Sequence, residues 1–194
     1  NRAYTLSKLY ESLLAQTNKN FIWMVIDDGS TDNTKELIQK YIREDKVNIR
    51  YIFQENGGKH RAINTGIKEI MTDATFIVDS DDVLTEDAVE TIFFHWHTVE
   101  NENLVNISFL RGYTTSEAIG KKFSKDYEIN NLIDIRYNQN ITGDKAEVVN
   151  TKILKEMLFP TIENEKFMSE GILWKGIAKR GNSLFINKII YITE

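Results

Sequence analysis

The strongest constraint on the fold is a repeated order of elements: an apolar run, an unusual polar loop directly after it, then an amphipathic stretch. "FIWMVI" (21–26) is uninterrupted and β-prone, the pattern of a strand covered on both faces. "DDGSTDN" breaks it, and Leu37, Ile38, Tyr41 and Ile42 recur at helical spacing, with Thr31 or Asp32 placed to cap that helix. The cycle repeats with "VNIRYIF" (47–53), the loop "QENGGKH", and a helix face of Ile63, Ile67, Ile70 and Met71. It repeats again with "TFIV" (75–78), the loop "DSDD", and a helix bearing Val89, Ile92, Phe93, Trp96 and Val99, which Thr85 can cap. A helix over 5–16 precedes these cycles, and a strand at "LVNISFL" (104–110) follows them. Such alternation predicts an α/β fold with a largely parallel sheet.

The pattern dissolves between Arg111 and Asn140, where irregular structure is expected. Order returns with "AEVVN", a helix over 151–158, the lone Pro160, a helix from about Ser169 to Lys179, and a closing strand, "SLFINKIIYIT". With 194 residues the chain suits one domain with a real core.

Composition excludes several chemistries. There are no cysteines, so disulfides, zinc–thiolate sites and thiol catalysis are absent, which fits a reducing compartment. A net charge of −5 argues against nonspecific nucleic-acid binding, which needs a basic surface. "FIWMVI" is far short of the roughly 20 residues needed to span a bilayer, and the sequons at Asn106 and Asn140 read as chance.

The informative loops all follow strands, and in open α/β sheets ligands bind beyond the carboxyl ends of the strands. "DDGS", "QENGGKH" and "DSDD" should therefore crowd one edge. Acid for a cation, with glycine backbone and base for an anion, is the wiring of a metal–diphosphate site. "FIVDSDDVL" (76–84) sharpens the point, because Asp79, Asp81 and Asp82 stand together at a strand end. Two carboxylates about 4 Å apart repel by roughly 4 kcal/mol at an effective dielectric of 20. Protonation, solvent or a cation must offset that cost. A solvated, capping turn is the plainer reading of "DSDD" taken alone. D-x-D-x-V-L after a strand also fits a haloacid-dehalogenase phosphatase, with Asp79 as nucleophile and Asp81 as acid/base. That reading explains neither "DDGSTDNT" nor "NGGKH", and in "GDKAEVV" (143–149), which offers Asp144, Val148 and Val149 occupy the spacings where the late second acid is wanted.

"VIDDGSTDNT" (25–34), "ENGGKHRAINTGI" (55–67) and "FIVDSDD" (76–82), in that order, resemble the nucleotide-sugar domain of family 2 glycosyltransferases. "FPTIENEKFMSEGILW" (159–174) resembles the acceptor-side segment of bacterial members that build surface polysaccharides. The resemblance implies one GT-A (Rossmann-like) domain with a mixed, mainly parallel sheet flanked by helices. Residues 1–110 would be its nucleotide-binding half and 111–194 its acceptor-side half. It implies an inverting, metal-dependent transferase that uses a nucleotide-diphospho-sugar, UDP-linked, and a glycan or lipid-linked acceptor. A nucleotide-sugar-binding module without turnover is the alternative. The implied location is the cytoplasm, extending to peripheral association with the inner face of the membrane.

Residue by residue, the resemblance gives Asp28 to the nucleotide base and Asp79 to the ribose. Asp81 would ligate Mn²⁺ or Mg²⁺ at the diphosphate, and Asn56, Gly57, Gly58 and Lys59 would line the nucleotide pocket. Asp27, Arg61, Asp82 and Trp174 are secondary candidates, Asp82 either behind the metal or as a turn cap. Two departures stand out. Ile63 occupies the place of an arginine found before the asparagine matching Asn64, so Arg61 or Lys59 would supply that charge. Relatives also begin with a further strand, of whose closing turn Asn1–Arg2 resemble the tail, so the chain is expected to lack that strand.

Inverting transfer needs a carboxylate to accept the acceptor's proton. Relatives carry a Glu-Asp pair at a helix start; here "MSEGILW" has glycine second, which leaves Glu170 as the candidate base. Glu163, Glu165 and Asp144 stand behind it. Trp174 could stack on a sugar or pack in the core at helical spacing. His60 could reach phosphate or pack the loop, and His95 and His97 read as packing or surface residues.

Overall fold

The computed structural model describes residues 1–163 and 165–193. Helix α1 (Ala3–Leu14) leads into three strand–helix steps: β1 (Trp23–Asp28) and α2 (Thr34–Glu44), β2 (Ile49–Gln54) and α3 (Lys59–Glu69), then β3 (Ala74–Phe76). A two-residue strand, β4 (Val83–Leu84), precedes α4 (Ala88–Asn101) and β5 (Asn106–Gly112). The second half holds β6 (Glu128–Asn130), a π-helical turn (Asp134–Asn138), β7 (Lys145–Asn150), α5 (Thr151–Lys155), α6 (Gly171–Ala178) and β8 (Ser183–Ile192).

The mixed α/β architecture matches the expectation, but the parallel share of the sheet is smaller. β1 pairs β2 in parallel, and β5 pairs β8 in parallel. β7 lies between β3 and β5, antiparallel to both, while β4 and β6 run antiparallel to β8. The cause is the connection. A parallel neighbour needs a crossover, usually helical, whereas β5 reaches β7 through the irregular stretch predicted from Arg111 onward. Strands β3, β4 and β5 of the expected nucleotide half thus share one sheet with β7 and β8 of the acceptor half.

Alternation along β5 and β7 sends successive side chains to opposite faces. Ile107, Phe109 and Val148 join α1, α2 and α4 in the larger cluster, where Tyr10 and Tyr41 stack at 3.7 Å between centroids. On the other face Val105 and Val149 meet Ile67 of α3, Leu154 of α5 and Leu173 and Ile177 of α6. Each such buried aliphatic side chain contributes about 1.5–3 kcal/mol. Among the described residues, no helix is long and apolar enough to cross a membrane.

Several local expectations shift. "FIWMVI" becomes a half-buried strand rather than one covered on both faces, because β1 pairs only with β2 among the described strands. Asn33 is the N-cap of α2, and Asp32 still accepts a hydrogen bond from the Thr34 amide (3.1 Å). Lys59 and His60, expected in a loop, form the first turn of α3. Asp87, held by the Thr85 hydroxyl at 2.8 Å, is the N-cap of α4. The helix expected over 151–158 ends at Lys155.

Candidate active site

The loop after β1 and the loop before α3 are built as one unit. Asp28 Oδ1 accepts from the Gln54 amide (2.6 Å) and the Gly57 N–H (2.9 Å). Its Oδ2 accepts from the Gly58 N–H (2.8 Å) and the Asn56 amide (3.2 Å). Successive backbone N–H groups aimed at a carboxylate form an anion-binding concavity, and here the chain's own aspartate fills it. Gly58 is irreplaceable locally: its φ is +93°, and a Cβ there would collide with the Lys166 carbonyl. Asp27 lies buried, accepting from Ser30 N–H (2.8 Å) and the Tyr51 hydroxyl (2.6 Å). Burial pushes its carboxyl up, but those hydrogen bonds outweigh burial and hold it below the usual range.

The acidic turn after β3 meets three basic side chains and one buried phenol. Lys59 Nζ lies 2.5 Å from Asp79 Oδ1 and 2.6 Å from Glu170 Oε1. Arg111 Nη1 lies 3.5 Å from Asp79 and 3.9 Å from Asp82. Arg2 pairs with Asp81 at 3.0 Å. Tyr191, fully buried, donates its hydroxyl proton to Asp82 (2.7 Å) and accepts from the Asp79 N–H (2.9 Å). The repulsion posed by "DSDD" is thus offset in part by protein cations. Burial pushes Asp79 up, yet the Lys59 ammonium and then Arg111 hold it below the usual carboxylate range. Burial pushes Lys59 down, and its hydrogen bonds to Asp79 and Glu170 outweigh that and raise it.

Glu170 is the N-cap residue of α6, but its side chain makes no cap hydrogen bond. Its carboxylate turns instead to Lys59. Glu163 and Glu165 are exposed on the segment leading to it, and Asp144 is exposed before β7. Arg61 reaches the Ile162 carbonyl (2.7 Å), so its charge lies on the acceptor-side segment. Trp174 packs between two apolar clusters, the core role. His60 is buried edge-on to Phe159, with ring centroids 6.2 Å apart. His95 is buried beside Phe109 and Tyr127, and His97 lies against Phe94.

Arg111 and Tyr191 escaped the sequence reading. They are partners in the β5–β8 register, with the guanidinium 4.1 Å from the ring centroid. A charged residue closing the apolar run "ISFL" was the one signal for Arg111. Nothing local marks Tyr191 in a chain-terminal strand.

The donor set was weighed for a divalent cation. Among the described residues no group of three or more acidic or histidine side chains is disposed to hold an ion. Mg²⁺ is, however, usually held by one or two carboxylates together with substrate phosphates. Asp81, with 43% of its side chain exposed and one basic partner, fits that arrangement.

The mixed sheet flanked by helices is the fold of a GT-A domain. The profile of glycosyl transferase family 2 matches residues 1–155, and the chain belongs to that family. It is 26% identical to the glycosyltransferase GlyG of Streptococcus pneumoniae serotype 4 over 99% of this chain and 67% of GlyG. Among solved structures it superposes on Staphylococcus aureus TarS 1–349 in complex with UDP-GlcNAc with a TM-score of 0.74. That alignment is 22% identical and covers 97% of this chain and 54% of TarS 1–349. The mannosyltransferase PcManGT of Pyrobaculum calidifontis, in complex with GDP-Man and Mn²⁺, gives a TM-score of 0.67 at 15% identity, covering 97% and 52%. The chain spans from 12% to 67% of the lengths of the first curated relatives it matches. Family membership sets aside the phosphatase alternative, and "DSDD" indeed follows the third strand rather than the first.

Proposed function

We propose that this chain is a single catalytic domain of an inverting glycosyltransferase. It moves a sugar from a nucleoside-diphospho-sugar, UDP-linked, to a glycan or lipid-linked acceptor in bacterial surface-polysaccharide synthesis. The observation that carries the reading is the convergence of Glu170 and Asp79 on one ammonium, 2.6 and 2.5 Å away. It sets the candidate base beside the acid cluster at the donor end of the sheet. UDP-GlcNAc and GDP-Man in the two structural neighbours support a nucleotide-sugar donor.

In this mechanism Glu170 accepts the proton of the acceptor hydroxyl as that oxygen attacks the anomeric carbon. Asp79 holds the ribose and Asp28 keeps the glycine loop in shape at the base. Arg111, beside Asp79 and Asp82, places positive charge where the diphosphate departs. A divalent cation, Mn²⁺ or Mg²⁺, held by Asp81 and the diphosphate, would further stabilise the leaving group. The proposed location is the cytoplasm, at or near the inner face of the membrane, which cell fractionation would test.

Isothermal titration with UDP and Mn²⁺, followed by a donor-hydrolysis assay, tests the proposal. Metal-dependent UDP binding, with UDP release that Glu170→Gln lowers at least a hundredfold, is expected. Binding without UDP release would identify a module lacking turnover.

A further inference from the structure

The segment 159–170 is strapped to the nucleotide side of the site at several points. Asn64 of α3 pairs with the backbone of Phe159 twice, donating to its carbonyl (2.9 Å) and accepting from its N–H (2.8 Å). Arg61 donates to the Ile162 carbonyl, and Lys166 donates to Asn56 in the glycine loop (2.9 Å). Gly58 lies directly beneath the Lys166 carbonyl. These contacts fix the start and middle of the strap. Its end, at Glu170, is held differently.

Glu170 stands where an acidic side chain could cap its own helix, yet it makes no cap hydrogen bond. Lys59, in the first turn of α3, holds it instead and binds Asp79 with the same nitrogen. One flexible ammonium therefore joins the acid after β3 to the acid before α6. No other described cation contacts both.

We infer that Lys59 is a positioning residue that couples the donor end of the site to the candidate base, holding Glu170 and the strap end in register with Asp79. The inference rests on the base assignment proposed above for its consequence on turnover, but the tether itself does not. An ammonium with three donors bridges two carboxylates by direct bonds. Methionine keeps most of the apolar stem and removes both bonds, whereas arginine can restore them.

Amide hydrogen exchange of the full chain decides the tether. Lys59→Met and Glu170→Gln should each speed exchange of the amides at 167–172 about tenfold, and the double variant should add little. Lys59→Arg should stay within about threefold of wild type, and amides of β5 should not change in any variant. Wild-type exchange at 167–172 in Lys59→Met, or additive effects in the double variant, would overturn the inference.

Turnover gives the second readout, as UDP release from UDP-GlcNAc with Mn²⁺. Lys59→Met should lower kcat at least tenfold with donor KM within about threefold, Lys59→Arg should recover most of it, and Lys59→Met should cost nothing further in a Glu170→Gln background. A loss lodged in KM, or multiplying with that of Glu170→Gln, counts against coupling and assigns Lys59 to donor binding alone. Wild-type turnover in Glu170→Gln, or no UDP release by the wild type, counts against the base assignment, while the tether still stands or falls by exchange.

Discussion

Tyr191 donates its hydroxyl proton to Asp82 at 2.7 Å, deep beneath the acidic turn. The same oxygen accepts the Asp79 N–H, and the ring carries Arg111 on its face. One side chain of the last strand thereby fixes two of the three acids of "DSDD". Burial, reinforced by the neighbouring Asp79 and the bond to Asp82, raises the Tyr191 phenol far above its ordinary range, so it remains a donor. Tyr191→Phe keeps the ring but removes one hydrogen bond from Asp82 and one from the Asp79 N–H. A hydrogen bond to a charged group contributes about 1.5–3 kcal/mol. Urea denaturation should show that loss, and UDP affinity should fall with it.

Asp28 organises the glycine loop through both carboxylate oxygens. Asn at this position keeps the shape but replaces one acceptor oxygen with a donor facing an N–H. Bonds to charged groups contribute about 1.5–3 kcal/mol, and Asp28→Asn should lose stability of that order. Chemical denaturation and titration with UDP should both report it, whereas unchanged stability would mean that the loop holds itself.

Asp81 is the most accessible acid of the turn, with 43% of its side chain exposed, and it pairs with Arg2 at the rim, where an ion pair contributes little. Asp81→Asn should therefore leave folding nearly unchanged and weaken Mn²⁺-dependent UDP binding at least tenfold. Titration calorimetry with and without Mn²⁺ would reveal it; equal affinity in mutant and wild type would remove Asp81 as the metal ligand.

Lys145 is buried on β7, donating to the Thr142 carbonyl at 2.9 Å. Burial, then the Arg136 charge, pushes its ammonium down to about 8. Its unfolded value is near 10.4, so between these limits the unfolded chain binds more protons. Stability should rise with pH over that interval, by at most about 1.4 kcal/mol per pH unit. Below about pH 10 the tyrosines, whose folded values are raised, do not yet oppose this trend. Thermal melts from pH 8 to 10 should show the rise in wild type and a flatter profile in Lys145→Met.

The positions of the elements were largely legible, because strand and helix periods are local. Boundaries moved by one to three residues where caps decided them, as at Asn33 and Asp87. The sheet's direction was not legible, since nothing between Gly112 and Lys145 announces that β7 returns antiparallel. Four candidate residues make contacts that their local sequence did not specify. Asp28 braces the glycine loop, Arg61 braces the strap, Asp82 anchors Tyr191, and Trp174 fills the core. Each is polar or aromatic at a plausible spacing, and spacing alone does not say which neighbours it meets in space.

By itself the sequence determined the order of strands and loops, the acids at the strand ends, the glycine loop and the glutamate at the start of α6. These are local facts, written in periodicity and residue type. Tertiary structure alone decided which charges meet. Lys59 reaches across to Asp79 and Glu170, and Arg111 and Tyr191 come under the turn from strands far along the chain. The physical reason is range: a hydrogen-bond period repeats every few residues, but an ion pair depends on a separation in space that only packing sets.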